Sequence, residues 1–210
     1  MSKTIKSKAA AAKSVTADNS AAATIAADFA SFATAKRERV VMLTDALKTL
    51  TGADADDARA AITACTNRAE RAERFAAGMQ HEAYAQAVID YGVNMQNATA
   101  LQIYAQDKLH ETLRAIGAGC ALSAVASRGH ANMMTQTLIA ALDAEGPLTV
   151  KHAPVAMRAI NPHKSAGTYS AQATSSRQTL DILGLLSWDA LAKTFQLNER
   201  GEALRAILTR

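Results

Sequence analysis

Alanine restricts the fold of this sequence more than any other feature, because it makes up about a quarter of the 210 residues. Alanine buries little apolar surface, so helices that contain it must approach one another closely to gain stability. Aromatic residues account for only 4% of the chain, and strand-forming residues are sparse before its last third. We therefore predict a mainly α-helical protein in which extended helix packing replaces a thick globular core.

The first two thirds of the chain read as a helical hairpin or bundle, which we assign to residues 18–130. Apolar residues recur at steps of three and four through residues 20–50, and Gly52 marks the end of that helix. A second helix carries a seam that steps by four and three through Ala58, Ile62, Cys65, Ala69, Ala72, Ala76 and Met79. The seam fits an internal hairpin with residues 20–50. The alternative is a surface that forms oligomers or docks a partner.

Positive charge is concentrated at the two ends of the chain, although the net charge is only +4. Residues 1–17 contain four lysines and no acid, and they are too poor in apolar residues to fold alone. We predict that they form a flexible basic arm that either contacts nucleic acid or is a solubilising tail. Residues 146–210 contain eight basic and four acidic residues. This distribution suits a polyanionic partner at the ends of the chain.

The pattern changes in residues 131–210, where short elements of different kinds follow one another. Residues 131–145 are an amphipathic helix, and residues 148–150 are prone to form a strand. Short helices are predicted over residues 153–160 and 170–183. Two strand-like pieces then precede a final helix, and the second of them should turn Phe195 and Leu197 inward. The expected order is helix, short strand, two helices, β-hairpin and helix.

This order resembles the winged helix-turn-helix family of DNA-binding domains. The residues that carry the resemblance are Leu180, Leu183, Gly184, Leu185 and Leu186, which read L-x-x-L-G-L-L, followed by Leu197, Asn198, Glu199, Arg200 and Gly201. The resemblance covers residues 131–210 and none of the preceding chain. It implies a mainly α protein whose N-terminal helices precede a C-terminal winged-helix-like domain with a small β-hairpin.

The resemblance also implies which residues contact DNA, with residues 170–183 as the recognition helix. Its outward face would present polar side chains to the bases, and Arg177 would lie at its edge. Basic residues around the helix and the hairpin would contact phosphates, and Tyr169 is the aromatic candidate for stacking on single-stranded DNA. The DNA-binding candidates are Lys164, Tyr169, Gln172, Thr174, Ser175, Arg177, Gln178, Lys193 and Arg200.

The sequence offers no grouping of residues that indicates catalysis, a cofactor or a metal. It lacks a phosphate-binding loop, a histidine pair at helical spacing and a nucleophile elbow. The two cysteines, Cys65 and Cys120, lie in apolar helical patterns and are expected to be buried thiols. No apolar run is long enough to span a bilayer, so we expect a soluble cytoplasmic protein. Because we find no catalytic grouping, we also expect that the protein is not an enzyme.

The sequence therefore favours a DNA-binding protein that regulates or assists transcription or replication. Double-stranded DNA is the preferred ligand, and single-stranded DNA is the alternative. The helical N-terminal part would form a homo-oligomer or dock a partner such as an RNA polymerase or a replication protein. Because that part resembles no regulator family, we expect a phage-encoded protein in the bacterial host cytoplasm. The other hypotheses are a structural or assembly protein of a phage particle and an adaptor that docks on a polymerase.

Overall fold

The structure is a computed structural model that describes residues 4–119 and 130–209. In these ranges the chain is mainly helical and has a small two-stranded antiparallel hairpin near its C-terminus. This confirms the mainly α-helical class and the small hairpin predicted from the sequence. The chain divides into two compact units, Met1–Asp90 and Tyr91–Arg210.

The described helices of the first unit are α1 (Thr4–Leu47), α2 (Gly52–Gly78) and α3 (Glu82–Asp90). The described elements of the second unit are α4 (Met95–Ala100), α5 (Ile103–Ala118), α6 (His130–Glu145), α7 (Ala153–Ile160), α8 (Ala166–Ile182), β1 (Leu186–Asp189), β2 (Thr194–Leu197) and α9 (Glu199–Leu208).

Helices α1 and α2 form a hairpin in the first unit. The short connection between them makes α1 and α2 run in opposite directions, and the Phe29 and Phe75 rings stack with centroids 4.9 Å apart. The alanine seam of α2 supplies the buried residues Ala58, Ala69 and Ala72. The seam residue Cys65 is half-buried, and Cys120 lies outside the described residues. The structure therefore uses the seam inside the hairpin, which leaves oligomer formation a prediction.

Helix α1 begins at Thr4, well before the start expected near residue 20. It therefore includes much of the segment assigned to the basic arm. Later in the hairpin, the Arg37 guanidinium donates two hydrogen bonds to the Glu73 carboxylate, at 3.1 and 3.0 Å. This contact raises the pKa of Arg37 and lowers the pKa of Glu73. Because both side chains are nearly half exposed, we expect the pair to orient the helices more than it stabilises them.

The second unit begins well before residue 131, where the sequence had suggested a boundary. Helix α5 packs against α6 and α8, and the Thr179 hydroxyl of α8 donates a 3.1 Å hydrogen bond to the Ala105 carbonyl of α5. The Thr135 hydroxyl of α6 lies 3.3 Å from that of Ser176. Because these contacts join residues far apart in sequence, the local pattern gave no sign of them.

The hairpin has a defined register, with Leu186 opposite Leu197 and Trp188 opposite Phe195. Phe195 and Leu197 are buried, as predicted for the inward residues of this strand. Leu148 and Phe195 exchange two backbone hydrogen bonds of 2.9 and 2.8 Å. The segment between α6 and α7 therefore lies beside β2 and adds a single bridge to the hairpin.

Asn198 joins the hairpin to the last helix. Its side-chain oxygen accepts a 3.0 Å hydrogen bond from the backbone N–H of Gly201 and caps α9. Its amide nitrogen donates to the carbonyls of Gly184 and Leu186, at 3.0 and 3.3 Å. One side chain therefore holds the start of α9, the end of α8 and the entry to β1 together.

Replacing Asn198 with alanine should lower the free energy of unfolding by about 2 kcal/mol, because both the cap and the bonds to two carbonyls are lost. Ser165 is the matched control, since its hydroxyl caps α8 through the single backbone N–H of Thr168, at 3.2 Å. Ser165→Ala should cost about 1 kcal/mol. Urea denaturation of both variants measures the difference. Equal losses would contradict the joining role of Asn198.

Candidate nucleic-acid interface

Several basic residues of the second unit are exposed and form no ion pair within the described part of the chain. The side chains of Lys151, Arg158, Lys164 and Lys193 are exposed and, among the described residues, have no acidic partner. Arg205 differs from them, since it is paired with Asp143 and Glu202. The four exposed cations can therefore contact an external anion without breaking an interaction that the described part of the fold uses.

Lys193 lies in the turn of the hairpin and has a left-handed backbone conformation, with φ 54°. The carboxylate of Asp189 fixes this turn by accepting 2.9 Å hydrogen bonds from the backbone of Leu191 and of Ala192. The antiparallel bridge between Leu148 and Phe195 also directs the chain after Leu148 toward the same end of the hairpin. The chain then turns at residues 150–152 into α7, so an exposed cation, Lys151, follows this bridge within three residues.

The polar face predicted for the recognition helix is only partly available in α8. Ser170 and Ala171 are exposed and Thr174 is half-buried, but Ser175 is buried. The Ser175 hydroxyl donates to the Ala171 carbonyl at 3.1 Å. Helix α5 packs against α8, and its Ala105 carbonyl accepts the hydrogen bond of Thr179, one turn after Ser175, so α5 covers this side of α8. Ser175 is therefore not at the surface where a DNA contact was expected.

Tyr169 has the opposite exposure to the one expected from the sequence, and another aromatic residue is exposed instead. Tyr169 is fully buried, and its hydroxyl accepts a 3.2 Å hydrogen bond from the Lys164 backbone N–H. Trp188, on β1, is 55% exposed. Tyr169 extends the core stripe of Ala173 and Leu180 at steps of four and seven, which is the signal that could have identified it as a core residue. Trp188 replaces it as the exposed aromatic candidate.

The other predicted contacts have mixed environments. Arg177 and Gln178 are half-buried, and Arg177 Nε and Gln178 Oε1 have no hydrogen-bond partner in the part of the chain that the structure describes. Arg200 is exposed, and its guanidinium lies 3.8 Å from the centroid of the Tyr91 ring. A phosphate contact by Arg200 would therefore compete with, or add to, this cation–π interaction.

Gln172 belongs to a different feature, a pocket whose key residue the sequence did not reveal. Its side-chain oxygen accepts a hydrogen bond from the ammonium of Lys108, which is only 2% exposed. The pocket has a volume of about 400 Å³, and Lys164 also lines it. Burial lowers the pKa of Lys108 to about 8, although the adjacent Asp107 acts in the opposite direction.

Lys108→Met should raise the free energy of unfolding by about 2 kcal/mol at pH 7, because a buried charge is removed at similar volume. Below pH 8 the folded and unfolded chains both carry this proton, so the cost of burying the charge is fully present. Between pH 8 and the ordinary lysine pKa, near 10.4, only the unfolded chain keeps the proton, so the wild type gains stability. The advantage of the variant should therefore shrink as the pH rises.

Urea denaturation at pH 7 and pH 10 measures this change in the difference between variant and wild type. Lys151→Met is the control, since Lys151 is exposed and should show no such change. If the free energies of unfolding of Lys108→Met and the wild type differ by the same amount at both pH values, Lys108 is not a buried, charged group.

Comparisons with models of protein families, with curated proteins and with solved structures gave no match for this chain. In residues 4–119 and 130–209, the structure contains no group of three or more histidine, cysteine or acidic residues placed to hold a metal ion. Over the same part of the chain, no helix has the length and apolar character needed to cross a membrane.

Proposed function

We propose that residues 131–210 form a winged helix-turn-helix domain and that this domain binds DNA. The order of α6, the Leu148 bridge, α7, α8 and the hairpin is the order that the resemblance implies. The observation that carries the proposal is the bridge of Leu148 to Phe195, because it makes the hairpin, with the exposed Lys193 in its turn, part of the helical unit.

Phosphate contacts supply most of the affinity in this proposal. Lys151, Arg158, Lys164 and Lys193 are exposed cations without an acidic partner in the described chain, so each can neutralise a phosphate. The exposed Ser170 and the half-buried Thr174 are the main candidates on α8 for contacts with base edges. We therefore expect modest sequence preference and strong dependence on salt.

A regulator or cofactor of transcription or replication fits such a module. The α1–α2 hairpin would then bring copies of the chain together or dock a replication or transcription protein. It stays a prediction that the protein is encoded by a phage, is cytoplasmic and is not an enzyme. The alternative role, as an assembly protein of a phage particle, also stays a prediction.

The exposed apolar residues of the hairpin favour a second candidate, an adaptor that docks on a polymerase. Leu191 is 98% exposed at the turn, and Trp188 on β1 is 55% exposed. An apolar pair of this kind is suited to the centre of a small protein interface, in which tryptophan often contributes most of the energy. Trp188 could equally stack on an unpaired base, which keeps single-stranded DNA as the alternative ligand.

Fluorescence anisotropy with labelled 20-base-pair duplex and 20-nucleotide single strands, at two salt concentrations, tests the proposal. We expect the full chain to bind the duplex more tightly than the single strand, with an affinity that falls steeply as salt rises. Tighter binding to the single strand, abolished by Trp188→Ala, would move the assignment to single-stranded DNA. Absence of binding to both at low salt would reject DNA as the ligand.

A further inference from the structure

The pocket between α5, α6 and α8 contains a buried cation that the described fold leaves only partly satisfied. An ammonium group has three N–H donors, and the one acceptor that Lys108 has among the described residues is the amide oxygen of Gln172. No carboxylate forms an ion pair with Lys108 in that part of the chain. A buried charge is costly unless it is paired, so Lys108 is suited to receive an external acceptor.

The other residues of the pocket indicate what that acceptor looks like. Lys164 adds a second cation, and Thr168 adds a hydroxyl group. Met133 and Met134 supply apolar walls, while the ring of Tyr104 is 70% exposed. The pocket is therefore cationic in one part and apolar or aromatic in another. Its volume of about 400 Å³ is large enough for an organic molecule rather than an inorganic ion alone.

We propose that this pocket binds a small organic oxyanion, a carboxylate or phosphate carried on a flat ring, with the anionic group between Lys108 and Lys164. The ring would pack against the methionines and Tyr104. The two lysines can donate to several oxygens of the group, and Gln172 holds the Lys108 ammonium in place. Asp107 also lines the pocket, and its negative charge favours a singly charged carboxylate over a phosphate monoester, which carries nearly two charges at pH 8.

A small ligand fits this site better than a phosphate of a DNA backbone. Lys108 is only 2% exposed, so a group must enter the pocket to reach it, whereas a duplex would contact exposed cations such as Lys193. The pocket would bind its ligand whether or not the hairpin binds DNA. Lys164 belongs to both sites, but Lys108 belongs to the pocket alone and Lys193 to the hairpin alone, so measurements at Lys108 test the pocket separately from DNA binding.

Chemical labelling of the full wild-type chain tests the site without a substitution. The protein is acetylated with acetic anhydride at pH 8 in the presence of benzoate, phenyl phosphate or phenol, and each lysine is quantified by mass spectrometry. We expect benzoate or phenyl phosphate to slow the labelling of Lys108 at least fivefold in a saturable way. Phenol should have no such effect, and the exposed Lys151 should react at an unchanged rate.

The outcomes separate the two anions and the alternatives. Stronger protection by benzoate assigns a carboxylate, and stronger protection by phenyl phosphate assigns a phosphate monoester. Protection by phenol to the same extent overturns the oxyanion, and protection by neither anion at 10 mM overturns the site. Lys108→Met should also lose the rise in melting temperature that the better anion causes, while Lys151→Met keeps it. Retention of the full rise by Lys108→Met would likewise overturn the proposal.

Discussion

Replacing Lys151, Lys164 and Lys193 together with glutamine is expected to weaken duplex DNA binding by roughly a hundredfold at 0.1 M salt. All three side chains are exposed and have no acidic partner in the described chain, so the change removes external contacts rather than internal ones. Each lysine that neutralises a phosphate contributes about 0.9 to the slope of log affinity against log salt. The salt slope of the triple variant should therefore be shallower by roughly 2 to 3.

A variant with the same loss of charge in the first unit is the control. Arg39, Lys48 and Arg59 are exposed, and the last two take part only in surface ion pairs of small energetic value. Glutamine at these three positions should change the affinity less than threefold. Anisotropy titrations from 0.05 to 0.5 M salt measure both quantities. Equal losses in the two variants would show that net charge, and not the face around the hairpin, determines binding.

Gly201→Ala is expected to lower the free energy of unfolding by about 3 kcal/mol or more, the largest loss that we expect from one added methyl group. A Cβ at this position would lie 2.3 Å from the backbone oxygen of Leu185 and 3.0 Å from the side chain of Leu197. The Leu185 oxygen belongs to the backbone, so it cannot move away by a change of rotamer. The same Leu185 oxygen accepts the hydrogen bond of Asn198 N, so relief of the clash would open the joint between the hairpin and α9.

Gly167→Ala is the matched control, because a Cβ there meets nothing within 4 Å in the described structure. In the first turn of α8 it should be neutral or stabilise the protein by up to about 1 kcal/mol. Urea denaturation gives the free energies, and the fluorescence of Trp188 reports on the hairpin. A Gly201→Ala variant as stable as Gly167→Ala would contradict the close approach of α9 to the start of β1.

In the second unit, the sequence predicts the helices and strands better than it predicts which elements pack against one another. Period-two alternation identified Phe195 and Leu197 as the inward residues of β2, and the helix-hairpin-helix order was read from short motifs. The burial of Ser175 was not predictable in this way. It depends on α5, whose Ala105 contacts Thr179 across a large sequence separation. Periodicity gives the face of a helix but not the number of neighbours that cover it.

The residues of the candidate site could likewise be predicted only where burial does not depend on distant neighbours. Lys164 and Lys193 were recognisable because exposed turns usually carry their cations outward. Lys108 was not recognisable as a site residue, because a lysine in a helical pattern is normally solvent-exposed. Only the packing of α5, α6 and α8 buries it beside Gln172. Tyr169 was recognisable in principle, since it continues the stripe of Ala173 and Leu180. Its position near the basic Lys164 had favoured the exposed interpretation.

Photocrosslinking at the turn of the hairpin measures whether this turn contacts DNA. Leu191 is 98% exposed there and Val41 is 61% exposed on α1, so each can be replaced by p-benzoylphenylalanine without disturbing a core. If the hairpin binds DNA, Leu191→p-benzoylphenylalanine should crosslink to a labelled duplex with a yield that falls as salt rises, and Val41→p-benzoylphenylalanine should not. Crosslinks from position 41 with none from position 191, in protein that still binds the duplex, would contradict DNA binding by the hairpin.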